Sequence, residues 1–183
     1  MHIDITSGLI KEARQHLSPN CDSRPDESDI SLIVIHGISL PPGKFGKDYI
    51  DQLFCNQLNP DEHPYFKDIS DLKVSSHLLI RRDGEVVQYV PFQKRAWHAG
   101  VSCYEERDCC NDYSIGIEME GEDETPYTDI QYQVLATIIK DLIKSYPELN
   151  EQTITGHSDI APGRKTDPGE AFDWAILRKL LSA

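Results

Sequence analysis

The feature that most constrains this sequence is segment 155–169, where glycines and prolines stand among polar residues. Such residues favour turns, so we expect a constrained loop that aims several side chains at one point. The loop carries His157, Lys165 and Asp167, which are an imidazole, a cation and a carboxylate. Two metal-binding side chains beside a cation indicate a metal-dependent hydrolase, provided that a third ligand lies elsewhere in the chain.

His36 is the candidate third ligand. It follows the apolar run 32–35, which predicts a strand over residues 31–36 and places the imidazole at a sheet edge. His157 likewise follows a short predicted strand, 152–156. Two histidines and a carboxylate are a common catalytic zinc set, so the sequence predicts one zinc ion held by His36, His157 and Asp167. The alternatives are half-buried histidines without a ligand and an aspartate that serves only a turn.

Glu118 is the candidate proton-transfer group. Residues 113–119 alternate between apolar and small or polar types, which predicts a half-buried strand. Ser114 and Gly116 share a face with Glu118 and leave space above the sheet, into which the carboxylate projects. A carboxylate placed there can exchange protons during hydrolysis. Glu120 has the same parity and is the second candidate, and an acid on the surface of an edge strand is the alternative for Glu118.

Lys165 and Trp97 complete the candidate chemistry. Lys165 precedes Asp167 by two residues, so an extended backbone directs both side chains to one side, where the ammonium can stabilise an oxyanion. Without a metal it is one more solvated lysine. Trp97 and His98 stand between small residues in 96–100, and an indole offers a sugar or peptide a flat apolar surface. An ordinary core tryptophan is the alternative.

The remaining patterns predict an α/β (α+β) fold, with a central mixed β-sheet flanked by helices. Asp83-Gly84 between two β-rich runs predicts a hairpin of strands 76–82 and 85–90. Thr128 and Gln131 form a capping box that begins the longest helix, which Pro147 ends. The other predicted segments are a polar surface arm over 18–30 and helices over 47–58 and 172–181.

Composition limits the class of protein. A chain of 183 residues predicts a single domain, 1–183, with its core at about 18–175. A net charge of −13 argues against a nucleic-acid partner, since phosphate binding requires a basic surface. No apolar run reaches the length of a membrane span, and the N-terminus lacks the pattern of a signal peptide. Five cysteines without a Cys-x-x-Cys pair indicate free thiols, which predicts a cytoplasmic location. We also expect a monomer.

Five segments together resemble the zinc-dependent N-acetylmuramoyl-L-alanine amidases, which share a fold with peptidoglycan recognition proteins. They are 35–39 (IHGIS), 76–84 (SHLLIRRDG), 96–100 (AWHAG), 111–118 (NDYSIGIE) and 155–169 (TGHSDIAPGRKTDPG). The likeness runs from about residue 18 to 175 and is greatest to the cytosolic type that acts on 1,6-anhydro-muropeptides in peptidoglycan recycling.

The resemblance implies that His36, His157 and Asp167 hold zinc, that Glu118 is the general base and acid, and that Lys165 stabilises the oxyanion. The bond cleaved would join the lactyl group of the anhydro-sugar to L-alanine of the stem peptide. A non-catalytic receptor for peptidoglycan fragments and an amidase of broader specificity are the alternatives. Retention of the whole residue set disfavours the receptor.

Two positions depart from the family pattern. Ser76 stands where phage-type relatives often have a tyrosine, which gives more weight to Glu118. Cys109 stands where the cytosolic type has an arginine, so we expect Arg107 to bind a peptide carboxylate in its place. The expected substrate contacts are His77, Trp97, His98 and Arg107.

Overall fold

The computed structural model describes residues 1–183. Its strands are β1 (Ile3–Asp4), β2 (Leu9–Ile10), β3 (Arg14–Gln15), β4 (Cys21–Ser23), β5 (Leu32–Ile38), β6 (Leu78–Ile80), β7 (Val86–Gln88), β8 (Lys94–Ala96), β9 (Cys103–Tyr104), β10 (Arg107–Asp108), β11 (Ser114–Glu120) and β12 (Ile154–Gly156). Its α-helices are α1 (Tyr49–Phe54), α2 (Asp129–Ser145), α3 (His157–Ile160) and α4 (Trp174–Leu181). Short 3₁₀ helices cover Pro64–Asp68, Cys110–Asp112 and Glu151–Thr153.

A six-stranded mixed sheet in the order β12-β5-β11-β6-β7-β3 forms the centre of the molecule. The strands β12, β5, β11 and β6 run parallel, β7 is antiparallel to β6, and β3 is parallel to β7. With helices against it, this sheet confirms the predicted α/β (α+β) fold. The carboxyl ends of β5, β11 and β12 meet at one edge, where parallel strands of this kind usually carry a site.

One face of the sheet packs against α2 and α4. The apolar residues of β5 and β11 at alternate positions, among them Ile35 and Ile117, join the helix residues Leu135 and Leu142 in the largest core cluster. Helix α2 begins at the predicted capping box, in which Thr128 N–H donates to Gln131 Oε1 at 3.0 Å. Periodic leucines and isoleucines hold α2 on the sheet, because burying each such side chain contributes about 1.5–3 kcal/mol.

The opposite face is covered more loosely and leaves a cleft. Helix α1 and the Pro64–Asp68 turn pack Phe54 and Phe66 against Leu79 and Tyr89 in a second core cluster. Next to them, at the carboxyl ends of β5 and β11, the polar side chains of His36 and Glu118 line the cleft. No helix of the structure has both the length and the apolar character needed to cross a membrane.

The predicted polar surface arm over 18–30 is wrong. Strand β4 pairs with β8 in an antiparallel ribbon, and Asn20 and Arg24 are buried. The Arg24 guanidinium donates to four backbone carbonyls, those of Phe92, Asn111, Asp112 and Ser114, at 2.8–3.3 Å. Polar composition suggested solvent exposure, whereas this arginine gains its hydrogen bonds from distant backbone.

Several predicted bounds also change. Strand β11 is buried along its whole length, because it is central in the sheet, so the predicted half-buried strand is wrong. Helix α1 is shorter than the predicted 47–58, and Asn56 adopts a positive φ of 59° just after it. The predicted loop 155–169 contains the short helix α3. The hairpin at Asp83-Gly84 and the helix near the C-terminus are confirmed, although their regular parts are shorter.

We expect Arg24→Met to lower the free energy of unfolding by about 3 kcal/mol or more, because buried carbonyls lose their donor. Arg95→Met is the matched control. Arg95 pairs with Asp22 and Asp112 where all three side chains are partly exposed, so its loss should cost about 1 kcal/mol or less. Urea denaturation followed by circular dichroism measures both. Equal losses would contradict the structural role of Arg24.

Candidate active site

Three metal-binding side chains converge at the carboxyl edge of the sheet. His36 lies on β5, His157 is the first residue of α3, and Asp167 lies in the following loop. His36 Nδ1 is 3.0 Å from His157 Nδ1 and 3.2 Å from Asp167 Oδ2, and His157 Nδ1 is 3.0 Å from Asp167 Oδ2. The structure therefore brings together the three residues that the sequence singled out.

The donor atoms of this triangle fit a metal ion. His157 Nε2–H donates to Ala99 O at 3.2 Å, which leaves Nδ1 with a free electron pair. One proton cannot serve three acceptor atoms placed so close together, whereas a cation satisfies all of them. Zinc bonds of about 2.0–2.2 Å in a tetrahedron separate the ligand atoms by about 3.3–3.6 Å, so a small adjustment of the 3.0–3.2 Å distances found here would admit the ion.

Burial sets the protonation states of the triangle. Desolvation lowers the pKa of His36 to about 4. Burial acts to raise the pKa of Asp167, but the adjoining His157 and His36 side chains outweigh it and hold that pKa far below its usual range. The group thus presents His36 as a neutral imidazole and Asp167 as a carboxylate at neutral pH, the states that metal binding requires.

Neighbouring backbone fixes the position of Asp167. Its carbonyl accepts from Ser158 N–H at 2.9 Å, and the Tyr127 hydroxyl donates to Pro168 O at 2.9 Å. Gly37 is required beside this contact, because a Cβ there would collide with the Tyr127 hydroxyl. The loop is therefore locked to both α3 and the end of β5.

Glu118 lies beside the triangle on the central strand. It pairs in register with His36 across β5 and β11, so both side chains emerge on the same face, and it is only 7 % exposed. Burial, followed by repulsion from Asp167, raises its pKa well above the usual carboxyl value, and Lys165 opposes this. Glu120, the second candidate, accepts from Gly46 N–H and Arg82 N–H, so its carboxylate is already engaged.

Lys165 and Trp97 both line the cleft that contains the triangle and Glu118. Lys165 is exposed, whereas Trp97 is partly buried and its indole N–H donates to Asp22 at 3.3 Å. The facing wall is apolar and comes from Leu40, α1 and residues 65–74. Sequence reasoning missed this wall, formed by Leu40, Leu53, Phe54, Tyr65, Ile69, Leu72 and Val74.

His98 reaches the cleft, but both of its ring nitrogens are engaged. Nδ1 is 2.9 Å from His36 Nε2, and Nε2 is 3.1 Å from Ser114 Oγ. The ring therefore has no free nitrogen for a substrate. His77 is not in the cleft at all: it is fully buried, and its ring bonds Gly116 N and Lys94 O. As a substrate contact His77 is wrong, because neighbouring backbone occupies both of its nitrogens.

Arg107 is also outside the cleft. It lines a separate depression with Asp29 and Asp112. Its guanidinium pairs with Asp29 at 2.6 Å and stacks 3.8 Å from the centre of the Tyr113 ring. The expected contact of this residue with a peptide carboxylate therefore stays a prediction that the geometry of the cleft does not support, because β10 holds Arg107 in the separate depression.

Comparisons with known proteins identify the family of the chain. Residues 26–170 match the Amidase_2 family, described as N-acetylmuramoyl-L-alanine amidase. The 1,6-anhydro-N-acetylmuramyl-L-alanine amidase AmpD of Salmonella typhimurium (strain SL1344) is 58% identical over 175 residues, covering 96% of this chain and 93% of the relative. The crystal structure of a selenomethionine AmpD derivative superimposes with a TM-score of 0.95, at 57% identity and 99% coverage of both chains.

A more distant solved structure contains a ligand. The Escherichia coli amidase AmiD, in complex with the substrate anhydro-N-acetylmuramic acid-L-Ala-D-gamma-Glu-L-Lys, superimposes with a TM-score of 0.59. It is 28% identical to this chain, and the match covers 94% of this chain and 60% of that one.

We expect purified protein to hold one zinc ion per chain, bound by the triangle. Asp167→Asn should raise the zinc Kd strongly, because a neutral amide is a poor substitute for a carboxylate ligand. Elemental analysis after dialysis gives the stoichiometry, and competition with a chromophoric chelator gives the affinity. Asp159→Asn is the control, since this carboxylate caps α3 beside the site and lies outside the triangle. An unchanged Kd for Asp167→Asn would rule out the assignment.

In metal-free protein, Glu118→Gln should be more stable than wild type at neutral pH. The raised pKa means that folding disfavours the ionised carboxyl, so Glu118 supports stability below its ordinary pKa and loses that support as pH rises. The difference in Tm should therefore be small near pH 4 and grow with pH. Thermal unfolding in chelator measures it, with the exposed Glu124→Gln as control. A difference independent of pH would show that Glu118 titrates normally.

Proposed function

The chain belongs to the N-acetylmuramoyl-L-alanine amidase family, and we propose that it uses zinc, in peptidoglycan recycling, to cleave 1,6-anhydro-N-acetylmuramyl-L-alanine. The bond hydrolysed is the amide between the lactyl group of the anhydro-sugar and L-alanine of the stem peptide. The observation that carries the zinc assignment is the convergence of His36, His157 and Asp167 within 3.2 Å of one another. The relatives named for this amidase activity match nearly the whole chain.

Zinc in this triangle would supply a Lewis acid that polarises the scissile carbonyl and makes water a better nucleophile. The chain's part is to hold two imidazoles and one carboxylate in fixed positions. Their burial excludes competing water and strengthens each interaction in the site. Three protein ligands would also leave the ion able to bind water or substrate, as catalytic zinc sites require.

Glu118 is the proposed general base and acid. In its ionised form it accepts a proton from the attacking water, and in its protonated form it donates that proton to the departing alanine amine. The raised pKa suits both steps, because a proton-transfer group works best when its pKa lies near the working pH. Its place beside His36 on the sheet supports this role.

Lys165 is the proposed oxyanion stabiliser. Its side chain lies at the cleft with Asp167 and is close enough to Glu118 and His36 to shift their pKa values. A fixed ammonium near the carbonyl oxygen favours the tetrahedral state, in which negative charge develops. Trp97 and the apolar wall are the proposed binding surface for the sugar and the peptide.

The proposal also covers the setting of the enzyme. We take residues 1–183 as one amidase domain that acts as a monomer in the cytoplasm on small anhydro-muropeptides. Free thiols support a reducing compartment, since Cys103 and Cys109 are exposed and unpaired. The acidic net charge supports a small-molecule substrate over a nucleic acid.

We expect Glu118→Gln to retain zinc while its turnover falls by about 10²–10⁴-fold, the usual contribution of a general acid–base group. Chromatography of the stem peptide released from an anhydro-muropeptide measures turnover. Glu124→Gln, an exposed acid near the cleft mouth, should keep wild-type activity. Near wild-type turnover in Glu118→Gln would remove this residue from the mechanism.

The same assay tests the substrate. Wild type should process anhydro-muropeptides with a higher kcat/KM than muropeptides that have an ordinary reducing sugar. Equal values would favour an amidase of broader specificity. Binding without any product would favour a peptidoglycan-fragment receptor.

A further inference from the structure

A chain of hydrogen bonds runs from a metal-binding residue into the protein interior. His36 Nε2 is 2.9 Å from His98 Nδ1, His98 Nε2 is 3.1 Å from Ser114 Oγ, and Ser114 Oγ is 2.5 Å from Cys110 O. His36, Ser114 and Cys110 are at most 2 % exposed. The chain is therefore screened from solvent along most of its length.

The Cys110 carbonyl at the inner end of this series of hydrogen bonds determines which atom donates in each bond. A carbonyl only accepts, so Ser114 must donate its hydroxyl proton to Cys110 O. Ser114 Oγ then accepts from His98 Nε2–H, which leaves His98 Nδ1 as an acceptor. His36 must in turn carry its proton on Nε2. The Nδ1 atom of His36, which faces His157 and Asp167, is left with a free electron pair.

The surrounding structure holds the His98 ring in place. A Cβ at Gly116 would lie 2.5 Å from His98 Cγ, so only glycine leaves room for the imidazole. Asn111 Oδ1 accepts from the backbone N–H groups of His98 and Ala99 at 3.1 and 2.8 Å. The space above β11 that the small residues Ser114 and Gly116 create is thus filled by His98.

We propose that His98 is a positioning residue for the metal ligand His36, with Ser114 and the Cys110 carbonyl as its anchor. It holds the His36 ring in one orientation and one tautomer, so that Nδ1 is always ready to bind the ion. This rests on the proposed zinc function for the identity of the ion. Partners that orient a metal-binding histidine typically change metal affinity by about 10–100-fold when removed.

The first test uses metal-free protein and does not depend on activity. Nitrogen-15 NMR of histidine-labelled wild type should show His36 with its proton on Nε2 and with slow exchange of that proton. His98→Phe keeps a ring of similar size but offers no acceptor. In this variant the His36 Nε2 proton should exchange quickly, and both tautomers should be populated. A purely structural role for His98 would leave the His36 tautomer unchanged.

The second test measures zinc affinity by chelator competition. His98→Phe and Ser114→Ala should each raise the zinc Kd by about 10–100-fold. His98→Asn places an amide oxygen near the position of Nδ1, so it should recover most of the affinity. Ser102→Ala is the matched control: this buried hydroxyl bonds Gly100 O and Cys110 N in the same turn but lies outside the chain of proton donors.

The outcomes separate this inference from the proposed function. Suppose that wild type binds zinc and that the zinc Kd values of His98→Phe and Ser114→Ala lie within twofold of the wild-type Kd. This result would overturn the positioning role of His98 and leave the proposed function intact. Wild type that binds no zinc would contradict the proposed function. In that case the NMR result decides the inference, and a proton on Nδ1 of His36 in metal-free wild type overturns it.

Discussion

The parallel pairing of β5 with β11 is the constraint on which the rest of the structure depends. Its register sets Glu118 beside His36 on one face of the sheet and Ile117 beside Ile35 on the other, apolar face. The apolar face binds α2 through buried leucines and isoleucines. The face of Glu118 and His36 borders the cleft. Because the side-chain period of a strand is two residues, a slip of one position would exchange these faces and destroy the core and the site together.

Local sequence signals predicted the elements that depend on local physics. The capping box at Thr128 and Gln131 begins α2, and Asp83-Gly84 forms its hairpin turn, because the hydrogen bonds and φ angles involved are set by neighbours in the chain. The alternation in β11 correctly placed Glu118 opposite to Ile115 and Ile117. His36 and His157 were predictable as partners because each stands at the carboxyl end of a strand of the same parallel sheet, where their side chains meet.

The errors concern contacts between residues far apart in sequence. Arg24 looked like a surface residue, but its partners lie about seventy to ninety positions away on other segments. Arg107, the expected carboxylate contact, lies on β10 in a depression separate from the cleft, which its own sequence did not indicate. The small residues of β11 suggested empty space, and no local pattern indicates that a ring from residue 98 fills it. Strand order and packing decide each case, and neither is encoded in a short window.

The metal-binding group also joins distant parts of the chain, since His36 and Asp167 are 131 positions apart. During synthesis His36 emerges early, whereas His157 and Asp167 follow only after the residues of α2. A lone histidine is a weak ligand, so an incomplete chain has no means of holding an ion at this place. Capture of the ion must then wait until β12 has docked beside β5.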